Sequence, residues 1–249
     1  MPKKTTLPNK DTIDEVDAEI SEGVQHAVRL VNVSRVYAVG DSEVVALNDV
    51  SLDVTPGELV VVSGPSGSGK TTLLNMVGGL DYASSGRVIL MDVPIGDYDE
   101  TFRAIFRLTN TGFVFQSYNL ISTLTAVENV MFPMQLSDRR SRELRKDAIK
   151  LLEDVRLSDR INHLPWQLSS GEQQRVAMAR AMANDPPIII ADEPTANLDA
   201  ESAEMIRGLL VHLNKIGKTV FVVTHDENII GIPGARHLRM DKGVLSANE

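Results

Sequence analysis

A glycine-rich stretch followed by a lysine and two threonines is the part of this sequence whose chemistry is easiest to interpret. It consists of Gly64, Pro65, Ser66, Gly67, Ser68, Gly69, Lys70, Thr71 and Thr72. An apolar β-branched run precedes it and a run that can form a helix follows it, and in that context backbone N–H groups bind phosphate. Lys70 is expected to reach the β- and γ-phosphates of a nucleotide, and the Thr71 hydroxyl to bind Mg²⁺. The stretch by itself predicts a nucleotide-binding site.

Polar side chains follow three further apolar runs, which we predict to be buried strands of a parallel sheet. They are Gln116 after residues 111–115, Asp192 and Glu193 after residues 187–191, and His225 after residues 219–224. Because ligands bind beyond the carboxyl ends of parallel strands, these side chains should converge on the phosphates. One such residue alone would be a solvated strand end or a packed histidine, but three strand ends at suitable places argue against that interpretation.

Each of these strand-end residues has a candidate role. Asp192 fits a Mg²⁺ ligand that acts through water, with Gln116 as a further candidate ligand. Glu193 can accept the proton of an attacking water. His225 and Gln116 can orient that water and detect the γ-phosphate. The predicted reaction is therefore nucleotide hydrolysis.

The elements that must position these residues follow from the periodicity of the apolar residues. Short alternating runs between residues 27 and 54 predict antiparallel strands with one covered face. Residues 124–166 are mostly helical in pattern, so a helical insertion separates strands of the parallel sheet. From residue 173 helices and buried strands alternate again, before a predicted hairpin around Lys242 and Gly243. The expected fold class is α/β, with a P-loop NTPase parallel-sheet core, an antiparallel β subdomain and an inserted α-helical subdomain.

Charge and composition exclude several classes of protein. The 249 residues carry a formal net charge of −9, which argues against a nucleic-acid partner because phosphate attraction needs a basic surface. The sequence contains no cysteine, so it has no disulfide, no thiolate metal site and no cysteine nucleophile. No apolar run approaches the roughly 20 residues that span a bilayer. A membrane function would therefore need another chain to supply the membrane part.

Residues 1–25 differ from the rest of the sequence. Three lysines precede a series of acidic residues, and apolar anchors are few. This pattern predicts a flexible acidic N-terminal tail, with a docking peptide as the alternative. The stretch also lacks the apolar centre of a signal peptide.

The segment Leu168-Ser169-Ser170-Gly171-Glu172-Gln173-Gln174-Arg175 resembles the signature motif of the ATP-binding-cassette family. Asp192-Glu193-Pro194-Thr195-Ala196-Asn197-Leu198-Asp199 resembles the Walker B motif and D-loop of the same family. With the phosphate loop, Gln116 and His225, these motifs occur in the family's order, and the resemblance covers about residues 28–245. It implies a nucleotide-binding domain at 26–249, with a helical subdomain at about 117–170.

The resemblance also implies further site residues. Tyr37, otherwise a half-buried packing residue, would stack on the adenine of ATP. Ser169 and the N–H of Gly171 would form a second anion site at a helix N-terminus. Glu172 and Asp199 complete the expected nucleotide-binding set.

In that family, two cassettes pair head to tail, and each ATP lies between one phosphate loop and the partner's signature. The resemblance thus implies a homodimer, ATP and Mg²⁺ as cofactors, and an integral membrane permease that docks near Gln116 and the helical subdomain. The expected location is the cytoplasmic face of the cell membrane, as a peripheral protein. Alternatives are a soluble cassette ATPase of DNA maintenance or translation, disfavoured by the short acidic chain, and an inactive regulator, disfavoured by the complete set of motifs.

The signature departs from the family's commonest form. Ser170-Gly171-Glu172 stands where Gly-Gly-Gln is usual, so Glu172 would add negative charge near a polyphosphate and weaken the ATP sandwich. Residues 74–81 and 113–120, and the Gln-Gln-Arg-Val-Ala that follows Glu172, are similar to the lipoprotein-release, macrolide-efflux and cell-division branch. In that branch the permease works mechanically rather than as a channel.

Overall fold

The structure is a computed structural model that describes residues 26–40, 42–137 and 141–247. The tail predicted at residues 1–25 lies outside these ranges. Within them the strands are β1 (Val28–Val39), β2 (Ser42–Val54), β3 (Leu59–Ser63), β4 (Ser85–Leu90), β5 (Thr111–Val114), β6 (Ile188–Asp192), β7 (Thr219–Val223), β8 (Arg236–Asp241) and β9 (Val244–Ala247). The helices are α1 (Lys70–Val77), α2 (Glu100–Asn110), α3 (Ala126–Leu136), α4 (Ser141–Asp154), α5 (Ser170–Ala181), α6 (Ala200–Lys215) and α7 (Glu227–Ile230).

The described strands form two sheets. One has the order β5-β6-β7-β3-β8-β9, in which the first five strands are parallel and β9 is antiparallel to β8. The other is antiparallel, with β1 between β2 and β4. The predicted combination of a mainly parallel sheet, an antiparallel sheet and helices is confirmed.

The parallel sheet is covered on both faces, as its continuous apolar strands require. Along β3, Val60 and Val62 pack in a cluster with α1 and the antiparallel sheet, whereas Leu59 and Val61 pack on the other face with α6. This alternation follows from the two-residue period of a strand. The parallel sheet therefore lies between two apolar layers, which hold in place the strands that end at the site.

A third apolar cluster joins α3, α4 and α5. Its buried side chains lie between Ala126 and Ala183, and Met182 and Leu209 pack against both this cluster and the one on the α6 face of the parallel sheet. The cluster is compatible with the predicted helical insertion, although the boundaries at 117 and 170 remain a prediction. None of the helices in the described ranges is both long and apolar enough to cross a bilayer.

Two features differ from the sequence interpretation. The separate runs predicted between residues 27 and 54 merge into the long strands β1 and β2, and register shifts between Leu30 and Val36 interrupt their alternation. Bulges of this kind break the two-residue pattern from which strands are read. Helix α2 was absent from the prediction, although Asp99 caps it by accepting the N–H of Phe102 at 2.9 Å.

Candidate active site

The glycine-rich loop between β3 and α1 is tightly enclosed by backbone from two other strands. Gly64 has φ 149°, and a Cβ there would lie 2.1 Å from the carbonyl oxygen of Met240 in β8. Gly69 has φ 107°, and a Cβ there would lie 2.3 Å from the carbonyl oxygen of Ala46 in β2. Only glycine combines such φ values with this close approach.

The turn between β8 and β9 also holds the loop. The N–H of Gly243 donates to the carbonyl of Ser68 at 2.8 Å, and the carbonyl of Gly243 accepts from the N–H of Asn48 at 2.9 Å. The loop is thus connected through one residue to both the antiparallel sheet and the last strands of the parallel sheet.

Lys70, the first residue of α1, folds back over the loop. Its Nζ donates to the carbonyls of Gly64 and Pro65 at 2.7 and 2.9 Å. The first N–H groups of a helix have no partner within the helix, and the first turn of α1 contains no acidic residue. Ammonium, free N–H groups and the positive end of the helix dipole therefore combine into a site for an anion.

A cavity of about 700 Å³ at this edge of the sheet brings together most of the predicted site residues. Its lining includes Tyr37, Gly64, Pro65, Ser66, Gly67, Gly69, Lys70, Thr71, Thr72, Gln116, Asp192, Glu193 and His225. Ser68 is the exception within the loop: it is buried and does not line the cavity. The convergence expected of the strand ends is what the geometry shows.

Glu193 and His225 form one unit at the ends of β6 and β7. Glu193 has φ 45°, uncommon for a residue with a side chain, and its N–H donates to the carbonyl of Val223 at 2.8 Å. Its Oε2 accepts from the Thr224 hydroxyl at 3.1 Å and from the His225 N–H at 3.2 Å, and lies 2.9 Å from Nδ1 of His225. The carboxylate is therefore fixed by three groups of the neighbouring strand end.

Asp192 ends β6 and is partly buried beside Glu193. Burial and the neighbouring charge of Glu193 raise the pKa of Asp192, and the ammonium of Lys70 and a hydrogen bond from Thr71 oppose that rise. Among the described residues there is no group of three or more His, Cys, Asp or Glu that could hold a metal. Mg²⁺ usually takes one or two carboxylates and completes its shell with water and substrate phosphates. The donors Thr71, Asp192 and Gln116 fit a Mg²⁺ that arrives with a nucleotide.

The signature residues lie elsewhere, at the start of α5. Ser169 is the N-cap: its hydroxyl accepts from the N–H of Glu172 at 3.2 Å, and Glu172 accepts from the N–H of Ser169 at 2.8 Å. This reciprocal pair is a capping box. The other carboxylate oxygen of Glu172 accepts from Nε of Arg160 at 2.9 Å. Burial raises the pKa of Glu172, but the hydrogen bonds from Ser169 and Arg160 outweigh it and leave that pKa below its ordinary value.

The expected effect of Glu172 on the ATP sandwich stays a prediction. Both of its carboxylate oxygens are bonded within the chain, one to a cation and one to the helix cap. Its place in the predicted nucleotide-binding set, with Ser169 and Gly171, also stays a prediction.

Gly171 brings the start of α5 against the start of α6. A Cβ on Gly171 would lie 2.2 Å from the Ser202 hydroxyl. That hydroxyl donates to Asp199 at 2.7 Å, and Asp199 caps α6 by accepting the N–H of Ser202 at 2.9 Å. Buried Gln174 donates to the carbonyl of Pro194 at 2.7 Å, which connects α5 to the exit of β6. None of Ser169, Gly171, Glu172 and Asp199 lines the 700 Å³ cavity.

Tyr37 lines the cavity and contacts two charged side chains that the sequence did not indicate as its partners. Its hydroxyl donates to Asp81 at 2.7 Å, and the guanidinium carbon of Arg35 lies 4.4 Å from the centre of its ring. Asp81 and Arg35 were missed by sequence reasoning. A signal for Asp81 was available only as an acidic residue just beyond the helix that follows the phosphate loop.

Comparison with known proteins gives this geometry a context. A family model described as ABC transporter matches residues 47–196. The uncharacterized ABC transporter ATP-binding protein MJ1508 of Methanocaldococcus jannaschii is 48% identical over 80% of this chain and 88% of its own length. The lipoprotein-releasing system ATP-binding protein LolD of Treponema denticola is 40% identical over 81% and 90%.

A larger protein and a solved structure extend the comparison. The macrolide export ATP-binding/permease protein MacB of Chlorobaculum tepidum is 44% identical over 88% of this chain but only 33% of its own length. A dimeric post-hydrolysis structure of the ATP-binding cassette MJ0796, bound to ADP and Pi, superimposes with a TM-score of 0.84 at 44% identity. It covers 89% of this chain and 97% of the MJ0796 chain, which comes from Methanocaldococcus jannaschii. The chain belongs to the ATP-binding-cassette (ABC) transporter family and is one of its ATPases.

Proposed function

We propose that this ATPase pairs head to tail with a second copy of itself around two ATP molecules and thereby drives an integral membrane permease. The separation of two anion sites within one chain carries the proposal. The cavity holds the phosphate loop and the strand-end residues, but the N-terminus of α5 with Ser169 does not line it. A second copy in head-to-tail orientation supplies that helix N-terminus to each cavity. The dimeric structure of MJ0796 supports this arrangement.

Within each site the residues of the cavity take separate roles. Lys70 and the N–H groups at the start of α1 bind the β- and γ-phosphates, and Tyr37 stacks on adenine. Thr71, Asp192 and Gln116 hold Mg²⁺, which neutralises phosphate charge when it is bound. These assignments rest on the shared lining of one cavity.

The chemical step belongs to the pair at the ends of β6 and β7. Glu193 accepts the proton of the attacking water, and His225, 2.9 Å from its carboxylate, orients the base and contacts the γ-phosphate. Hydrolysis removes the γ-phosphate that the two copies share. Because that phosphate stabilises the closed pair more than the open one, its loss shifts the population towards separation.

A second groove suits the permease. It has a volume of about 460 Å³ and lies beside the segment after Gln116, with Phe115, Phe132 and Leu136 in its lining. Phe132 and Leu136 are 41% and 61% exposed and line the same groove, and a shared exposed apolar surface of this kind is typical of an interaction site. Arg180 holds the segment by donating to the carbonyls of Tyr118 and Asn119 at 2.7 and 2.5 Å. An apolar helix of a membrane subunit matches such a groove.

The location follows from that partner. A chain that drives a permease with ATP sits peripherally on the cytoplasmic face of the cell membrane. The names of the relatives LolD and MacB support a function in export, extraction or mechanotransmission. A soluble role in DNA maintenance or translation remains the alternative, and the net charge of −9 disfavours it.

The pairing is tested by the mass in solution of Glu193→Gln with ATP and without Mg²⁺. We expect the mass to double, because ATP is bound and not turned over. Lys70→Ala, which lacks the phosphate-binding ammonium, should stay monomeric and serves as the control. A Glu193→Gln chain that binds ATP and remains a monomer would contradict self-sufficient pairing.

The permease is tested by affinity purification from detergent-extracted membranes. The unmodified chain should retain an integral membrane protein that Leu136→Lys loses. Ile216→Lys is the matched control, because Ile216 is 57% exposed and lies at the end of α6, outside the groove. Co-purification of DNA or ribosomes in place of a membrane protein would support the alternative and contradict the proposal.

A further inference from the structure

The carboxylate of Asp81 lies outside the lining of the cavity but bonds to Tyr37, whose side chain lines it. We propose that Asp81 is a positioning residue that holds the ring of Tyr37 in the place where it stacks on the adenine of ATP. The inference rests on the stacking role of Tyr37 in the proposed function and adds the residues that make that role possible.

Three donors converge on this carboxylate. Oδ2 accepts from the Tyr37 hydroxyl at 2.7 Å. Oδ1 accepts from the N–H of Tyr82 at 2.7 Å and lies 2.9 Å from Nη2 of Arg35. Hydrogen bonds to an ionised acceptor are stronger than those between neutral groups, and the side chain of Asp81 is only 21% exposed. The Tyr37 hydroxyl is therefore bound by a carboxylate that Tyr82 and Arg35 also hold in place.

Arg35 restricts the ring in a second way. Its guanidinium carbon lies 4.4 Å from the centre of the Tyr37 ring, within the range of a cation–π contact. The same guanidinium is paired with Asp81. With the hydroxyl bound and one face covered, the opposite face of the ring is the one available to a base.

Asp81 itself is attached to the end of α1. Its N–H and that of Leu80 both point to the carbonyl of Asn75, at 3.4 and 2.8 Å. Buried Arg103 of α2 donates to the carbonyl of Asp81 at 2.6 Å and to that of Gly79 at 2.8 Å. The backbone that carries the carboxylate is thereby fastened to two helices.

Helix α1 therefore acts as a spacer between the two ends of the nucleotide. It begins with Lys70 at the phosphates and spans about 12 Å over its eight residues before the chain turns to Asp81. Tyr37 belongs to the antiparallel sheet, a different layer of the fold. The Asp81 carboxylate connects that layer to α1 and so sets the distance from ring to phosphate loop.

The experiment compares two ligands that differ in the adenosine. Dissociation constants for ATP and for inorganic tripolyphosphate are measured on the full chain with Asp81→Asn and with Tyr37→Phe, which each weaken the same hydrogen bond. We expect each variant to raise the ATP Kd and KM about fivefold, the order of one lost hydrogen bond. The tripolyphosphate Kd and the kcat should be unchanged, and the double variant should be no weaker than either single one.

Two variants separate the possible failures. Asp49→Asn, a carboxylate of β2 outside the cavity, should leave both constants unchanged. Equal weakening of ATP and tripolyphosphate by Asp81→Asn, or additive effects in the double variant, would overturn the positioning role. If Tyr37→Ala weakens ATP selectively and Asp81→Asn does not, only this inference fails. If Tyr37→Ala itself shows no selectivity, the proposed stacking function fails with it.

Discussion

Nδ1 of His225 lies 2.9 Å from Oε2 of Glu193, although the side chain of His225 is 76% exposed and that of Glu193 only 14%. The exposed imidazole contacts a largely buried carboxylate, which also accepts a hydrogen bond from the Thr224 hydroxyl. Both side chains line the cavity, so a nucleotide bound there is expected to contact the pair. The two side chains therefore respond together to whatever occupies the cavity.

Replacing the proposed base should separate binding from turnover. Glu193→Gln keeps the shape and the hydrogen bonds at the end of β6 but cannot accept a proton. We expect phosphate release to fall by about 10²–10⁴-fold, the usual contribution of a general base, with the ATP Kd unchanged. Hydrolysis at the rate of the unmodified chain would show that another group takes the proton.

The contact between the two residues predicts non-additive kinetics. His225→Ala should lower kcat because the carboxylate loses a partner and the γ-phosphate a contact. In the Glu193→Gln background the same change should add little, since residues that act as a unit do not lose their effects twice. Steady-state kinetics of the two single variants and the double variant make the test. Effects that multiply would show independent roles.

The raised pKa of Asp192 predicts a stabilising substitution. A folded-state pKa above the unfolded value means that ionising Asp192 costs stability as the pH rises through that interval. Asp192→Asn should therefore raise the melting temperature of the nucleotide-free chain at pH 7, measured in a chelator. The gain should vanish below about pH 4, where the unmodified carboxyl is protonated in both states. A lower melting temperature at pH 7 would contradict this account.

Ionisation of Glu172 has the opposite effect on stability from that of Asp192. Its pKa is lowered, so its contribution to stability is present above the unfolded value and is lost as the pH falls through the folded one. Glu172→Gln retains a capping box and loses the ion pair with Arg160, at a cost of about 0.5 kcal/mol in the free energy of unfolding. Glu172→Ala also loses the bond from the Ser169 N–H, while Ser169 still caps α5, and should cost about 0.5–1 kcal/mol more, the order of one hydrogen bond. Equal melting temperatures of the two variants would show that the box contributes nothing.

A single tryptophan provides an optical readout of pairing. Trp166 is 74% exposed and lies in the turn Pro165–Gln167, three residues before Ser169. Pro165 within this turn and Leu168 directly after it are buried. In the proposed pair this rigid turn approaches the second copy, so ATP should shift the emission of Glu193→Gln to shorter wavelength. Lys70→Ala should show no shift. A doubling of mass without any shift would place Trp166 away from the contact.

The sequence was most informative where chemistry is encoded by neighbours in the chain. The loop from Gly64 to Thr72 and the polar residues after β5, β6 and β7 lie within a few residues of the strand that positions them, so their convergence could be predicted. Helix α2 is the element that the sequence interpretation did not predict, although its N-cap residue Asp99 is a sequence signal for the start of a helix.

Contacts between distant segments could not be predicted in this way. Asp81 meets Tyr37 across 44 residues, and Arg160 meets Glu172 through a turn that no periodicity indicates. Both depend on how β1 and the segment before α5 are placed by tertiary packing. The partner of Glu172 is therefore visible only in the folded chain.

The backbone contacts of Gly243 have a consequence for biosynthesis. The phosphate loop bonds to this turn through Ser68, and Asn48 of β2 bonds to it as well, so residues near the start and the end of the described chain meet at one glycine. During translation every recognised motif has been synthesised before this turn is made. The nascent chain therefore contains every recognised motif before it contains the turn that bonds to the phosphate loop.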